Sequence, residues 1–177
     1  LQDLEKTTSD YFLKVPPASV LEFVLSTKII LVEGPSEYIL FEQFYKNTTG
    51  KSLDVDGVHV LAIRGLSFKR YLDVAKITKS KVAVITDNDG NYQKNCIEKY
   101  KDYTMDNIKV FFEKDDSKRT FEYCLFYENT EACEAKFQND PLNYMLENKT
   151  ESALKLSHLS DIKAPNYIKR AIEWINE

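Results

Sequence analysis

The sequence predicts an α/β protein with a largely parallel sheet, and two observations support this prediction. Short runs of β-branched and apolar residues alternate with segments in which apolar residues recur at helical spacing. Three of the four runs lack a polar residue at every second position, which indicates strands buried on both faces by helices. The chain has 177 residues, of which 43% are hydrophobic, and this suffices for one such domain.

The elements follow one another in a regular order. The first strand ends at Glu33-Gly34-Pro35, and apolar residues from Ile39 to Tyr45 then recur at helical spacing. The predicted strands are 28–32, 58–63, 81–85 and 108–112. The later predicted helices are 67–77, 92–100, 121–126, 131–137, 150–159 and 165–175. This order predicts a four-stranded sheet flanked by helices, with a C-terminal helical extension.

Composition and charge exclude several classes of function. The chain has 28 acidic and 24 basic residues, a net charge of −4, which argues against a broad basic surface for nucleic acid. Its 3 cysteines form no C-x-x-C pair, so neither a disulfide framework nor a zinc site is expected.

The sequence shows no signal peptide and no apolar run of roughly 18 residues, and we expect a cytoplasmic protein without membrane contact. Gly50-Lys51-Ser52 lacks the first glycine of a phosphate-binding loop and follows a helix, so no ATP site is predicted in this chain.

Five carboxylates lie where three predicted strands end. Glu33 closes the first strand, and Glu37 lies four residues later in the first turn of a helix. Asp87 and Asp89 follow the third strand, and Glu122 begins a helix after the fourth. Ligands of an open parallel sheet bind outside the carboxyl ends of its strands. We therefore expect these five side chains to share one crevice.

Crowded carboxylates repel one another unless cations neutralise them. Oxygen ligands without accompanying His or Cys favour Mg²⁺ or Mn²⁺ over zinc. Each acid taken alone also has an ordinary structural explanation, such as the helix dipole for Glu37 or turn formation for Asp87 and Asp89. Their shared position at the sheet edge is the reason to predict a metal site used in phosphate chemistry.

Three motifs occur in a characteristic order along the chain. They are E-G-x-x-E at 33–37, D-x-D at 87–89 and T-x-E at 120–122. This set resembles the Toprim domain of the overcoming-lysogenisation-defect (OLD) family of ATP-dependent endonucleases, which includes Gabija-type defence nucleases. The resemblance covers roughly residues 11–177, and the segments 65–71, 149–154 and 164–174 are also similar to this family. It implies a Toprim-like Rossmannoid fold.

The resemblance also implies roles for individual residues. The implied metal ligands are Glu33, Glu37, Asp87, Asp89 and Glu122. Two Mg²⁺ or Mn²⁺ ions would orient the attacking water and stabilise the leaving 3′ oxygen. Glu33 and Lys149 are the implied catalytic residues, and Lys149 would neutralise charge in the transition state, although a solvated lysine at a helix start is the ordinary alternative.

The resemblance further implies a domain organisation. Residues 1–27 would connect to an upstream ATPase domain, residues 28–128 would form the catalytic core, and residues 129–177 would complete the Toprim domain. ATP would act only through that upstream domain, and we expect the full-length protein to be a homo-oligomer. Asn91 stands where topoisomerase and primase relatives carry a third acid, so strand passage and priming are not favoured.

The leading hypothesis is a metal-dependent DNA endonuclease that acts in anti-phage defence and binds DNA only weakly through this domain. An RNA-directed Toprim nuclease, either an rRNA-maturation enzyme or a tRNA-cutting toxin, remains an alternative. So does a module that binds metal without catalysis. A D-x-D phosphatase is a weaker option, because its nucleophilic aspartate follows the first strand, where this chain has Glu33.

Overall fold

A computed structural model describes residues 4–15, 17–63, 67–137 and 139–177, apart from the side chain of Pro17. Within these residues, four strands form one sheet in the order β2-β1-β3-β4. Every neighbouring pair of strands is parallel. The strands are β1 (Lys28–Val32), β2 (Val58–Ala62), β3 (Lys81–Ile85) and β4 (Ile108–Phe111). The predicted parallel α/β sheet is confirmed, and each strand boundary agrees with the prediction to within one residue.

Helices surround this sheet. They are α1 (Lys6–Phe12), α2 (Pro17–Leu25), α3 (Pro35–Thr49), α4 (Leu53–Asp56), α5 (Phe68–Thr78), α6 (Phe121–Glu128), α7 (Thr130–Lys136), α8 (Pro141–Glu147), α9 (Lys149–Leu156) and α10 (Asn166–Asn176). The helix predicted at 92–100 is a π-helix at Gln93–Glu98, followed by a short 3₁₀ turn at Lys101–Tyr103. Helices α1, α4 and α8 were not predicted. In the segment 65–71 that resembles the OLD family, Gly65 and Leu66 lie outside the described residues.

The strand β1 shows why the apolar runs lack polar alternation. Ile30 and Val32 enter a core formed with α3, α6, α9 and α10, whereas Ile29 and Leu31 enter a second core on the opposite face with α5. All four side chains are fully buried. Because both faces of the strand are covered, both sets of alternating side chains must be apolar.

The segment before β1 also packs on the second core. The rings of Phe12 in α1 and Phe23 in α2 each lie 5.0 Å from the ring of Tyr71 in α5. Of the predicted connecting segment 1–27, residues 1–3 and 16 lie outside the described part. None of the described helices is long and apolar enough to cross a lipid bilayer.

The strand order creates a crevice at the carboxyl edge of the sheet. From β1 the chain passes through α3 to β2 on one side, and from β2 it returns through α5 to β3 on the other side of β1. The two connections therefore diverge between β1 and β3, which is the usual ligand position in such sheets. Glu33 directly follows β1, and Asp87 lies two residues after β3.

Candidate functional site

A cavity of about 220 Å³ opens at the carboxyl ends of β1 and β3. Its wall comes from the β1–α3 turn, the loop after β3, and the first residues of α6 and α9. The charged side chains in this wall are Glu33, Glu37, Asp87, Glu122 and Lys149. The structure thus brings together five of the six residues predicted for the site. A larger groove of about 540 Å³, next to Asn47 and Lys169, contains a single carboxylate.

Glu33 connects the ends of the two central strands. Its Oε1 atom accepts a hydrogen bond from the hydroxyl of Thr86. The same oxygen accepts a second bond from the backbone N–H of Asp87, at 3.2 Å. The carboxylate that closes β1 is therefore held by the residues that follow β3.

Glu37 lies in the first turn of α3 with only 6% of its surface exposed. Burial raises the pKa of its carboxyl group from 4.5 to about 8, and repulsion from Glu122 and Glu33 adds to this increase, whereas a backbone hydrogen bond and Lys149 oppose it. A Cβ atom at position 34 would lie 3.3 Å from Oε2 of Glu37, close enough to shift this oxygen by a few tenths of an ångström. The glycine of the E-G-x-x-E motif thus leaves the second glutamate undisturbed.

Asp87 experiences the same crowding. Burial raises the pKa of its carboxyl group well above the ordinary value, with further contributions from Glu37, Glu33 and Glu122, while Lys149 acts in the opposite direction. Raised pKa values at two neighbouring carboxyl groups indicate a site with too little positive charge. A cation in the cavity would allow both groups to ionise.

Glu122 and Lys149 form an ion pair at the cavity wall. Oε2 of Glu122 accepts hydrogen bonds from the Thr120 hydroxyl at 2.7 Å and from Nζ of Lys149 at 3.0 Å. Glu122 is buried, whereas the Lys149 side chain is 49% exposed. Burial lowers the pKa of Lys149, but the hydrogen bond and charge of Glu122 outweigh this effect and raise it. Lys149 is therefore a charged partner of the acidic cluster.

Asp89 does not line the cavity. Residues two apart point to the same side only where the backbone is extended, but Asp89 has a φ of +49° and its side chain is exposed. Its N–H donates to the carbonyl oxygen of Arg119 at 3.0 Å. The left-handed conformation turns the chain at this residue, and Asp89 lies apart from the four clustered carboxylates.

Asn88, between the two aspartates, has a structural role that its local sequence does not reveal. It is buried, and its amide nitrogen donates to the carbonyl oxygens of Glu113 and Asp115, both at 3.0 Å. Its Oδ1 atom accepts from the N–H of Gly90 at 2.8 Å. Asn88 thereby joins the turn after β3 to the loop that leads to Glu122. Its local sequence signals only a turn.

The donor set of the cavity fits a hard divalent cation, because it consists of carboxylate oxygens without His or Cys. Within the described ranges, no group of three or more His, Cys, Asp or Glu side chains already has the arrangement of a metal site. Oε2 of Glu122 is occupied by the Thr120 hydroxyl and by Nζ of Lys149, so Glu122 would have to share or exchange these partners when a cation binds.

Comparisons with known proteins agree with this architecture. Residues 24–89 match the family model of the overcoming lysogenization defect protein-like TOPRIM domain. No curated protein matches the sequence. The solved C-terminal region of the Burkholderia pseudomallei OLD protein has 20% sequence identity and a TM-score of 0.66, over 86% of this chain and 98% of that chain. The C-terminal region of the Xanthomonas campestris pv. campestris OLD protein has 18% identity and a TM-score of 0.56, over 88% of this chain and 94% of that chain.

The matched segment includes the turn with Glu33 and Glu37 and ends at Asp89. Glu122 and Lys149 lie beyond it, in the part of the chain where the likeness to solved structures shows the fold alone. The sequence match includes the E-G-x-x-E and D-x-D motifs but not T-x-E at 120–122. Residues 24–89 are therefore similar to the OLD-like TOPRIM domain, and the fold is similar to that of the solved OLD C-terminal regions.

Proposed function

We propose that this domain is a metal-dependent endonuclease that hydrolyses phosphodiester bonds in DNA. The observation that carries the proposal is the cavity in which four carboxylates and one lysine meet at the carboxyl edge of an OLD-like Toprim sheet. The family supports a nuclease-type module in general, and the oxygen-only donor set supports Mg²⁺ or Mn²⁺ as its cofactor.

The carboxylates and the lysine of the cavity would have different roles in catalysis. Glu33, Glu37, Asp87 and Glu122 would hold two divalent ions, and Asp89 would have to move to contribute. When bound, such ions orient an attacking water and stabilise negative charge on the leaving 3′ oxygen. Lys149 now neutralises Glu122. Once a cation shares the charge of Glu122, the half-exposed ammonium group could pair with a phosphate oxygen instead.

The wider context is also a proposal. The similar solved structures are C-terminal regions of OLD proteins, which is consistent with a further domain upstream, and we propose that this is an ATPase domain of a homo-oligomeric protein. We propose a cytoplasmic role in anti-phage defence for such a protein. The preference for DNA rests on the OLD resemblance, because the cavity residues would contact phosphate and are indifferent to the sugar.

Cleavage of supercoiled plasmid in Mg²⁺ or Mn²⁺ tests the proposed function. We expect nicking by the wild-type protein, and we expect Asp87→Asn to lower the rate by at least about 100-fold, because it removes a charged ligand of a catalytic cation.

Lys149→Met should lower the rate without weakening Mn²⁺ binding, since the lysine competes with cations for Glu122. Asp106→Asn is the matched control, because Asp106 is exposed in the turn before β4, at the opposite edge of the sheet.

If the Asp87→Asn protein cleaved the plasmid at the wild-type rate, the assignment of the site would be refuted. Parallel assays with single-stranded and structured RNA distinguish the RNA-directed alternative, which predicts faster cleavage of RNA than of DNA. A protein that binds Mn²⁺ in calorimetry but cleaves neither polymer would be the non-catalytic module.

A further inference from the structure

Thr86 makes a contact that the metal-site proposal does not use. It directly follows β3 and is buried, with 2% of its surface exposed. Its hydroxyl donates to Oε1 of Glu33, across 53 residues of sequence. The neighbouring N–H of Asp87 donates to the same oxygen at 3.2 Å. Both acceptor positions of Oε1 are thus occupied by the chain itself.

The backbone of Thr86 is itself firmly placed. Its N–H donates to the carbonyl oxygen of Phe111 at 3.2 Å, which continues the pairing of β3 with β4 beyond the last strand residue. Its β-branched side chain has restricted rotation about χ1. The hydroxyl therefore projects from a rigid position, and Glu33 receives an anchor from the sheet rather than from a mobile loop.

The anchor distinguishes the two oxygens of Glu33. Oε1 accepts the two hydrogen bonds, and among the described residues no donor bonds to Oε2. A glutamate without such anchors samples several rotamers, and ordering it upon metal binding costs conformational entropy. With Oε1 held, Glu33 is already ordered before a cation arrives.

We propose that Thr86 is a positioning residue that holds Glu33 by one carboxylate oxygen and leaves the other, Oε2, as the ligand for a divalent cation. This inference rests on the proposed function, because it concerns the same site. Hydrogen-bond partners of metal ligands orient the ligand, and their loss typically lowers metal affinity about 10- to 100-fold. Thr86 would thus influence cation binding without touching the cation or the nucleic acid.

Titration of the metal-free protein with MnCl₂ in a calorimeter, without nucleic acid, tests this inference directly. We expect Thr86→Val, which keeps the volume and removes the hydroxyl, to weaken Mn²⁺ binding about 10- to 100-fold. Thr86→Ser restores the hydroxyl and should bind Mn²⁺ nearly as the wild type does. Thr130→Val is the matched control, because that hydroxyl bonds only to the Phe126 carbonyl oxygen within the α6–α7 region. Thr86→Ala provides a second deletion of the hydroxyl if the valine variant does not fold.

Plasmid nicking supplies a second readout. In Thr86→Val, the Mn²⁺ concentration for half-maximal nicking should rise by the same factor as the dissociation constant, while the maximal rate at saturating Mn²⁺ stays close to that of the wild type. A folded Thr86→Val protein with wild-type Mn²⁺ affinity would overturn the role of Thr86 and leave the proposed function intact. A wild-type protein that binds no Mn²⁺ would overturn both.

Discussion

Individual carboxyl groups in this domain differ sharply in their surroundings. Glu37 and Asp87 are crowded by other acids and have raised pKa values, whereas Asp89 is exposed. The single cation in the cavity wall, Lys149, is paired with Glu122. The acids that resemble the family motifs are thus not equivalent, and the buried ones should make the metal-free protein sensitive to pH.

Glu37 should make the metal-free protein less stable as the pH rises. Between pH 4.5 and about 8, the unfolded chain releases the proton of this carboxyl group and the folded chain keeps it. The free energy of unfolding therefore falls across this window and stays low above it, whereas below pH 4.5 both states are protonated. Since one pKa unit corresponds to about 1.4 kcal/mol, the loss is at most about 5 kcal/mol.

Urea unfolding in a chelator at several pH values measures this dependence. We expect Glu37→Gln to unfold with a smaller decrease in stability between about pH 5 and about pH 9, the remainder being due to Asp87. Glu42→Gln, at an exposed position of the same helix α3, should retain the wild-type slope. Equal slopes for Glu37→Gln and the wild type would show that Glu37 is ionised in the folded protein.

Among the elements, helix α10 shows how the C-terminal part belongs to the same fold as the sheet. Its buried residues Ile168, Ala171, Ile172 and Ile175 recur at helical spacing and form one face, which enters the core shared with β1 and β3. Trp174 extends this contact, with its ring 5.8 Å from that of Phe111 in β4. The helical residues after α6 are therefore part of the packing that supports the cavity.

Ile172→Ala should destabilise the whole domain by about 2–5 kcal/mol, because it leaves a cavity in a fully buried position. Glu173→Ala, at the adjacent exposed position, should change stability by less than about 0.5 kcal/mol. Trp174, the only tryptophan of the chain, reports on unfolding by fluorescence, and circular dichroism reports on all helices. Separate transitions by the two probes would indicate that the C-terminal helices unfold independently of the sheet.

Elements were predictable to different degrees. The four strands could be located because each is a short, mainly apolar run, and the central strands β1 and β3 are buried on both faces. Helix α8 was not found, although Asp140 caps its N-terminus by accepting the N–H of Asn143 and Pro141 occupies its first turn. A short helix with one buried residue, Met145, leaves little periodic signal. The π-helical register of Gln93–Glu98 is likewise not encoded in the spacing of apolar residues.

For the molecule as a whole, the charge balance limits its hold on nucleic acid. The net charge is −4, and four of the acids converge on one cavity. Sequence-independent binding of DNA requires Lys and Arg side chains that neutralise its phosphates. A cation in the cavity would reduce the local repulsion, but it would not create a broad basic surface.

In a chelator, the isolated domain should bind duplex DNA with a dissociation constant of about 1 μM or weaker at near-physiological salt, and the affinity should fall further as salt increases. Fluorescence anisotropy of a labelled duplex over a salt series measures both quantities. Ca²⁺, which is a hard cation with oxygen ligands, should strengthen binding by neutralising the cavity. Nanomolar binding in the chelator would contradict this prediction.

The sequence by itself determined the parallel α/β sheet, the strand ends and the group of acids at one edge, because apolar runs, turns and strand-end residues are local features of the chain. Only the tertiary structure decided which of the acids meet. The left-handed backbone at Asp89 moves one of them out of the cavity wall, and Lys149 reaches Glu122 from a different helix. The anchoring of Glu33 by Thr86 likewise joins residues that follow two different strands. Such contacts depend on backbone conformation and on packing between distant segments, which no local pattern of residues specifies.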